Sequence, residues 1–148
     1  MEEKVNGFES LLKQIDIDFF LDEISDFENK ASEFKWSKKE ILGHLIDSCI
    51  NNLQRFTEIQ FYEKPYKIST YNQDELVKAN NYQNKNSKEL VELWLQLNFQ
   101  LLHVIKNQTK ETLAFQLILP NGNRSNLEFL IEDYIDHFYH HFKQINLK

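Results

Sequence analysis

Apolar residues recur at intervals of three and four along most of the chain, the spacing that places them on one face of an α-helix. The pattern predicts four amphipathic helices, over residues 5–34 with a bend near 16–18, 37–61, 87–108 and 125–145. The last three begin near Ser37, Asn86 and Ser125, whose side chains can cap a helix, and a glutamate follows each of them three residues later. Long helices with defined starts are therefore expected.

Residues 62–86 form the longest stretch without a sustained helical period. They contain Pro65 and four tyrosines, and they leave room for a short helix over 74–78. Connections of this length are usually functional or disordered, and the tyrosines favour a packed crossover that covers one end of a cleft. Residues 113–119 alternate before a Pro120-Asn121-Gly122-Asn123 turn, which predicts a short extended segment but no sheet.

The amino-acid composition narrows the choice of fold class. Only three Gly and two Pro occur in 148 residues, and this scarcity of turn formers favours long helices. The length is typical of one compact domain. We therefore predict an all-α fold, a four-helix bundle with a long crossover between helices 2 and 3, as a single domain over residues 1–148.

Charge and cysteine usage exclude several kinds of partner. The net charge of -6 provides no positive field for nucleic acid. The single cysteine, Cys49, cannot form an intramolecular disulfide and is expected to be a small buried apolar residue. No apolar run reaches the ~18 residues that a membrane span needs, and the N-terminus lacks the pattern of a signal peptide. The sequence predicts a cytoplasmic protein without nucleic-acid or membrane partners.

The histidines carry the main chemical signal. His137 and His141 are four residues apart, which places both imidazoles on one side of the last helix, where they can share one metal ion. Asp133 and Gln144 bracket the pair and are candidates to orient an imidazole or a water molecule. The alternative is that these are surface or partly buried imidazoles without a ligand. His103, opposite the apolar face of the third helix, is expected to be exposed.

A third metal ligand is available on the second helix. His44, Ser48, Asn51 and Arg55 follow one another at intervals of four, three and four and form a polar stripe. The stripe is either a solvated face or part of the site. Arg55 is one of only two arginines in the chain, and a guanidinium at this position favours a carboxylate or another fixed anion as its partner. Three neutral imidazoles would suit Zn, Ni, Fe or Mn and leave coordination positions open.

Three segments together form a larger pattern. They are residues 36–48, WSKKEILGHLIDS, residues 52–56, NLQRF, and residues 133–145, DYIDHFYHHFKQI. The pattern resembles the DinB/YfiT-like superfamily, and the resemblance extends over nearly the whole chain. It implies a four-helix bundle, often a homodimer, with one divalent metal ion bound by His44, His137 and His141.

The same resemblance implies a function, because the superfamily includes enzymes that depend on small thiols. We predict a metal-dependent thiol S-transferase that joins a low-molecular-weight thiol to a small electrophilic substrate. A metal-dependent hydrolase and a non-enzymatic metal-binding or stress-related interaction module are the alternatives. Arg55 is a candidate to hold a carboxylate of the thiol or of the substrate. Asp47 either contacts His44 and orients its imidazole, or lies on the surface.

Overall fold

The computed structural model describes residues 1–146 and confirms a helical bundle. Its helices are α1 (Glu2–Gln14), α2 (Ile17–Glu23), α3 (Lys38–Glu58), α4 (Gln73–Asn80), α5 (Ser87–Lys106), α6 (Lys110–Leu113) and α7 (Leu127–Asn146). The four bundle helices are α1, α3, α5 and α7, and α3 packs against both α5 and α7. The last two residues of the predicted domain lie outside the described part of the chain.

The predicted first helix over 5–34 is wrong. Helix α1 ends at Gln14, Ile15 is extended, and the Asp16 side chain accepts a hydrogen bond from the Phe19 backbone N–H at 3.0 Å and so caps α2. An aspartate that binds a nearby backbone N–H starts a new helix more readily than it continues the old one. Residues 24–36 then form turns, and Asp26 has a positive φ of 56°.

The expectation of no sheet is also wrong. Strands β1 (Tyr66–Lys67), β2 (Gln116–Ile118) and β3 (Arg124–Asn126) form a small sheet in the order β1-β2-β3. Strand β1 pairs parallel with β2, and β2 pairs antiparallel with β3. The predicted extended segment therefore becomes the middle strand, and it connects the crossover to the start of α7.

Two of the three predicted helix caps are confirmed and the third is wrong. The Ser37 hydroxyl accepts from the Glu40 N–H at 3.0 Å and Glu40 accepts from the Ser37 N–H at 3.1 Å, so the predicted capping box of α3 is confirmed. Asn86 caps α5 as expected. For α7 the predicted cap at Ser125 is wrong, because Ser125 pairs within the sheet and Asn126 accepts from the Phe129 N–H instead.

The crossover between α3 and α5 is packed against α3, as predicted. It contains β1, α4 and a 3₁₀ turn at Tyr82–Asn84, and the predicted helix over 74–78 lies within α4. The Tyr82 ring lies directly against Gly43 of α3, where an added Cβ would come within 2.2 Å of the ring. Since no side chain fits there, Gly43 allows the crossover to lie against α3 one residue before His44.

An aromatic stack fixes the rotation of α7. Trp94 of α5 stacks on Phe138 with ring centroids 5.6 Å apart, and Phe20 and Phe142 extend the stack. These rings bury large apolar areas and hold α7 against α2 and α5. Because Phe138 faces the core, its neighbour His137 is directed to the seam between α7 and α3.

Candidate metal centre

The structure brings together the three predicted metal ligands, His44 of α3 and His137 and His141 of α7. One ring nitrogen from each lies within 4.8 Å of the other two. The Nε2 atoms of His44 and His137 are 3.3 Å apart. Two histidines one turn apart on α7 thus face a third across the seam, as the four-residue spacing and the stripe on α3 predicted.

The polar stripe of α3 is not a solvated face. His44 is 1% exposed and Ser48 is also 1% exposed, while Asn51 and Arg55 are half-buried. The stripe lies along the seam with α7, and the Ser48 hydroxyl is 3.5 Å from Nδ1 of His137. Packing of α7 on α3 therefore turns a polar helical face into an interior surface.

Burial favours the neutral form of two of the three imidazoles. Burial, reinforced by the neighbouring His141 and His137 rings, lowers the pKa of His44 to about 4. Burial, together with the nearby His141 and His140 rings, likewise lowers the pKa of His137 to about 4. Both rings are therefore neutral at pH 7, and a neutral imidazole is the form that binds a metal ion.

The donor set fits a divalent metal ion. Two nitrogens that each bind a tetrahedral Zn²⁺ at 2.0–2.1 Å lie roughly 3.4 Å apart, close to the separation of the His44 and His137 Nε2 atoms. At His141, Nδ1 lies 2.9 Å from the Gln144 Oε1 atom. A proton on Nδ1 donated to this amide oxygen leaves Nε2 free as a ligand. Gln144 thus makes the orienting contact that its spacing predicted.

His141 is the member of the cluster that lines an open recess of about 410 Å³. Its walls include Phe34, Trp36, Gln73, Asp74 and His141. Trp36 also packs on His44, with ring centroids 5.0 Å apart. Gln73 and Asp74 belong to the crossover, so the crossover forms part of the wall of this recess. Sequence reasoning did not assign Trp36 to the site, although an aromatic residue just before the cap of a ligand-bearing helix was a usable signal.

Arg55 has no carboxylate partner in the described chain. Its guanidinium donates to the Ser69 carbonyl at 2.5 Å and to Asn52 Oδ1 at a long 3.4 Å, and it lies 5.5 Å from the centre of the Tyr71 ring. It also lines a small cavity of about 110 Å³ that His137 reaches from the other side. The anion predicted for Arg55 would therefore have to come from a bound molecule.

Asp47 lies neither on the surface nor in hydrogen-bond contact with His44. It is 3% exposed, and its Oδ1 accepts from the Tyr82 hydroxyl at 2.6 Å and from Asn80 Nδ2 at 3.1 Å. Burial raises its pKa, and the Tyr82 hydrogen bond partly offsets that effect. Asp47 anchors the crossover on α3, so its contribution to the site is positional.

The remaining candidates lie outside the cluster. His103 is exposed on α5, as predicted. His140 is exposed beside His141, with ring centroids 4.9 Å apart. Cys49 is fully buried and burial raises its thiol pKa to about 12, which confirms a structural residue. Asp133 lines the small cavity beside Arg55 and His137.

The fold and the histidine cluster define a helical-bundle protein with a candidate metal centre, and comparison with known proteins identifies its family. The sequence matches the family model of the DinB superfamily over residues 9–145. The chain therefore belongs to the DinB superfamily, as its motifs predicted. A comparison with curated proteins gave no match. Within residues 1–146, no helix is long and apolar enough to cross a membrane.

Two solved structures are similar in fold. YfiT from Bacillus subtilis, described as a probable metal-dependent hydrolase with an unusual four-helix bundle topology, has 16% identity and a TM-score of 0.80, with 97% of this chain and 82% of YfiT covered. The mycothiol-dependent maleylpyruvate isomerase has 12% identity and a TM-score of 0.61. That match covers 97% of this chain but 57% of the isomerase. At these identities the similarity establishes the fold.

Proposed function

We propose that this protein is an enzyme that holds one divalent metal ion on His44, His137 and His141 and joins a low-molecular-weight thiol to a small electrophile. The supporting observation is the convergence of three imidazole nitrogens within 4.8 Å beside an open recess. A divalent ion bound there supplies positive charge that lowers the pKa of a coordinated thiol or water molecule. Zn²⁺, Ni²⁺, Fe²⁺ and Mn²⁺ are all compatible with three imidazole ligands.

In this proposal the residues of the chain bind the metal ion, orient its ligands and hold the electrophile. His44 and His137 offer neutral nitrogens because their pKa values are near 4, and Gln144 orients His141. Phe34 and Trp36 give the recess an apolar wall for the electrophile. In the reaction a bond forms between the thiol sulfur and an electrophilic carbon. The thiol proton passes to solvent, and the leaving group departs with the electron pair of its broken bond.

Hydrolysis is the second candidate, and Asp133 favours it. This side chain lines the small cavity with His137 and is exposed, and partial desolvation by the surrounding protein, together with nearby Asp136, raises its pKa. A raised pKa makes a carboxylate a better proton acceptor. In this reaction water attacks the electrophilic carbon of an ester or amide, Asp133 accepts the proton of the water, and the leaving group departs with its electron pair. The description of YfiT agrees with this alternative.

Both proposals require one divalent ion on the three histidines, and elemental analysis of the purified protein tests this requirement. We expect one divalent ion per chain in the wild type and in His103→Ala, whose histidine is exposed on α5, and none in His44→Ala or His141→Ala. Retention of the ion by both cluster variants would overturn the metal site. The same requirement fails if the wild type remains metal-free after reconstitution with each of the four ions.

Activity assays then separate the proposals. Conjugation of a small thiol to an electrophilic dye tests transfer, and turnover of activated esters tests hydrolysis. A non-enzymatic module would show neither, and a purely structural metal would leave the chain unfolded when a chelator removes it. We expect the metal-free protein to stay folded, since the aromatic core does not depend on the histidines. The predicted homodimer is kept as part of the proposal, and sedimentation velocity tests it.

A further inference from the structure

The small cavity beside His137 contains two opposite charges that do not bind each other. It measures about 110 Å³, and its lining includes Ser48, Asn52, Arg55, Tyr71, Asp133 and His137. Among the described residues, the exposed side chain of Asp133 forms no hydrogen bond or ion pair. Lys4 lies near enough to favour its charged form, but pairs at 2.8 Å with Asp136, the next acid on α7. Arg55 and Asp133 each favour the charged form of the other, but they do not form an ion pair within 4.0 Å.

Arg55 retains hydrogen-bonding capacity toward this cavity. A guanidinium carries five N–H donors, and the contacts seen for Arg55 are one hydrogen bond to Ser69 and a long one to Asn52. The guanidinium carbon lies 5.5 Å from the centre of the Tyr71 ring, within the range of a cation–π interaction. A held, half-buried guanidinium with free donors is suited to bind a carboxylate with two parallel hydrogen bonds.

A simple anion or a simple cation fits this cavity poorly. Asp133 would repel an isolated carboxylate, and Arg55 would repel an isolated ammonium group. A zwitterion satisfies both charges at once. Liquid water takes about 30 Å³ per molecule, so the cavity has room for roughly four waters, which is enough for one α-amino-carboxylate group.

We propose that this cavity binds the α-amino-carboxylate group of an amino-acid thiol, with the carboxylate on Arg55 and the ammonium group on Asp133. His137 lines the same cavity, so the side chain of the bound molecule is directed toward the histidine cluster. The inference rests on the proposed function, because it names the class of thiol used at that site. Cysteine is the smallest molecule of this class.

Arginine side-chain NMR tests binding directly, because the chain has only two arginines and Arg124 serves as an internal reference. Glycine, the head group alone, is titrated into ¹⁵N-labelled protein, with acetate and methylammonium as half-group probes. We expect glycine to shift the Nε–H signal of Arg55 at concentrations about tenfold lower than acetate, while the Arg124 signal stays in place. Equal affinity for glycine and acetate would overturn the proposal.

Two aspartate variants provide a matched pair on α7. Asp133→Asn should weaken glycine binding about tenfold and leave acetate binding equal or stronger, because a repelling charge is removed. Asp136→Asn removes the same charge from α7 but should weaken glycine binding much less than Asp133→Asn does, because Asp136 does not line the cavity. Unchanged glycine binding in Asp133→Asn would contradict the assignment of the ammonium site.

The titrations are run on metal-free and Zn²⁺-treated protein with metal content measured in the same samples. Glycine binding without metal uptake would overturn the proposed function and leave the cavity assignment standing. Metal uptake without a glycine shift would overturn the cavity assignment alone. With an electrophilic dye, L-cysteine should have a lower KM than cysteamine or 3-mercaptopropionate, each of which lacks one of the two charged groups. Equal KM values for the three thiols would contradict the proposal.

Discussion

Helix α7 contributes to two buried polar clusters that differ in how their hydrogen bonds are completed. On its α5 side, the Tyr134 hydroxyl donates to Asn98 Oδ1 at 2.6 Å, and Asn98 Nδ2 donates to the Trp94 carbonyl at 2.8 Å. On its α3 side, the ring nitrogens of His44 and His137 face each other at 3.3 Å, and His44 Nδ1 has no partner although it is buried.

The difference separates a polar cluster whose side chains pair with each other from one that keeps an unpaired ring nitrogen. Donors and acceptors alternate between Tyr134 and Asn98, so burial costs little and nothing further is required. Three ring nitrogens converge on one point, and if a neutral His44 ring shares a hydrogen bond with His137 through Nε2, its buried Nδ1 is still left without a partner. The side chains of Tyr134 and Asn98 are paired within the chain, whereas His44 Nδ1 is not, and we propose that a metal ion completes the histidine cluster.

The largest effect is expected from removing a ligand. His137→Ala should lower the affinity for Zn²⁺ about 1,000-fold or more, equivalent to about 4 kcal/mol, because it deletes one of three nitrogen ligands. Competition with a chromophoric chelator measures the affinity, and circular dichroism should show that helicity is retained. His140→Ala, the exposed neighbour, is the control and should bind as the wild type does. Equal losses in both variants would mean that the cluster is not the site.

The tyrosine cluster should respond in stability and not in metal binding. Asn98→Leu leaves the buried Tyr134 hydroxyl with the weakly hydrogen-bonding Cys49 thiol as its remaining partner, and we expect the free energy of unfolding to fall by about 1–3 kcal/mol. Adding Tyr134→Phe removes the stranded hydroxyl and should recover part of this loss. Urea denaturation measures both. If Asn98→Leu abolished Zn²⁺ binding while the protein remained folded, the two clusters would not be independent.

Acid should destabilise the metal-free protein through the histidine cluster. The pKa values of His44 and His137 are near 4 in the folded protein, against an ordinary value of 6.5. The unfolded chain therefore binds more protons than the folded one between these values, and stability is lost as the pH falls from about 6.5 towards 4. A pKa of about 4 in place of 6.5 corresponds to roughly 3 kcal/mol for one ring, so we expect the two rings together to lose several kcal/mol.

Denaturation of the wild type and of His137→Gln across this pH range isolates the contribution. The variant has one fewer imidazole to protonate and less repulsion between the remaining rings, so its stability should decrease less steeply on acidification. Identical pH profiles would show that burial does not hold these rings neutral. The carboxylates titrate in both proteins and cancel from the comparison.

Local signals allowed much of the fold and of the histidine cluster to be predicted. The apolar period and the caps at Ser37 and Asn86 identified α3 and α5, and four-residue spacing identified the two histidines of α7 that meet His44. These signals depend on residues within one or two helical turns of each other. A helix presents its polar and apolar faces in the sequence itself, so His44 could also be placed on a distinct stripe.

The features that could not be predicted depend on contacts between distant residues. Strand β1 has two residues, and its register with Leu117 is set by a segment about 50 positions away. The burial of Asp47 depends on Tyr82, 35 positions later, which lies against α3 because Gly43 leaves room. Neither contact has a periodic signature, so the sheet and the anchoring role of Asp47 emerged from the tertiary structure.

The smallest effect is expected from the residue that orients a ligand without binding the metal. Gln144→Ala removes the contact to His141 Nδ1, and loss of such a partner typically lowers metal affinity 10–100-fold. Gln144 is exposed, so water can replace part of the contact, and we expect about tenfold. Gln100→Ala, at an exposed position of α5, is the control. A loss as large as that of His137→Ala would instead make Gln144 a ligand. No loss would mean that the aromatic packing around α7 alone orients His141, and that the histidine cluster is preorganised by the core it shares with Tyr134.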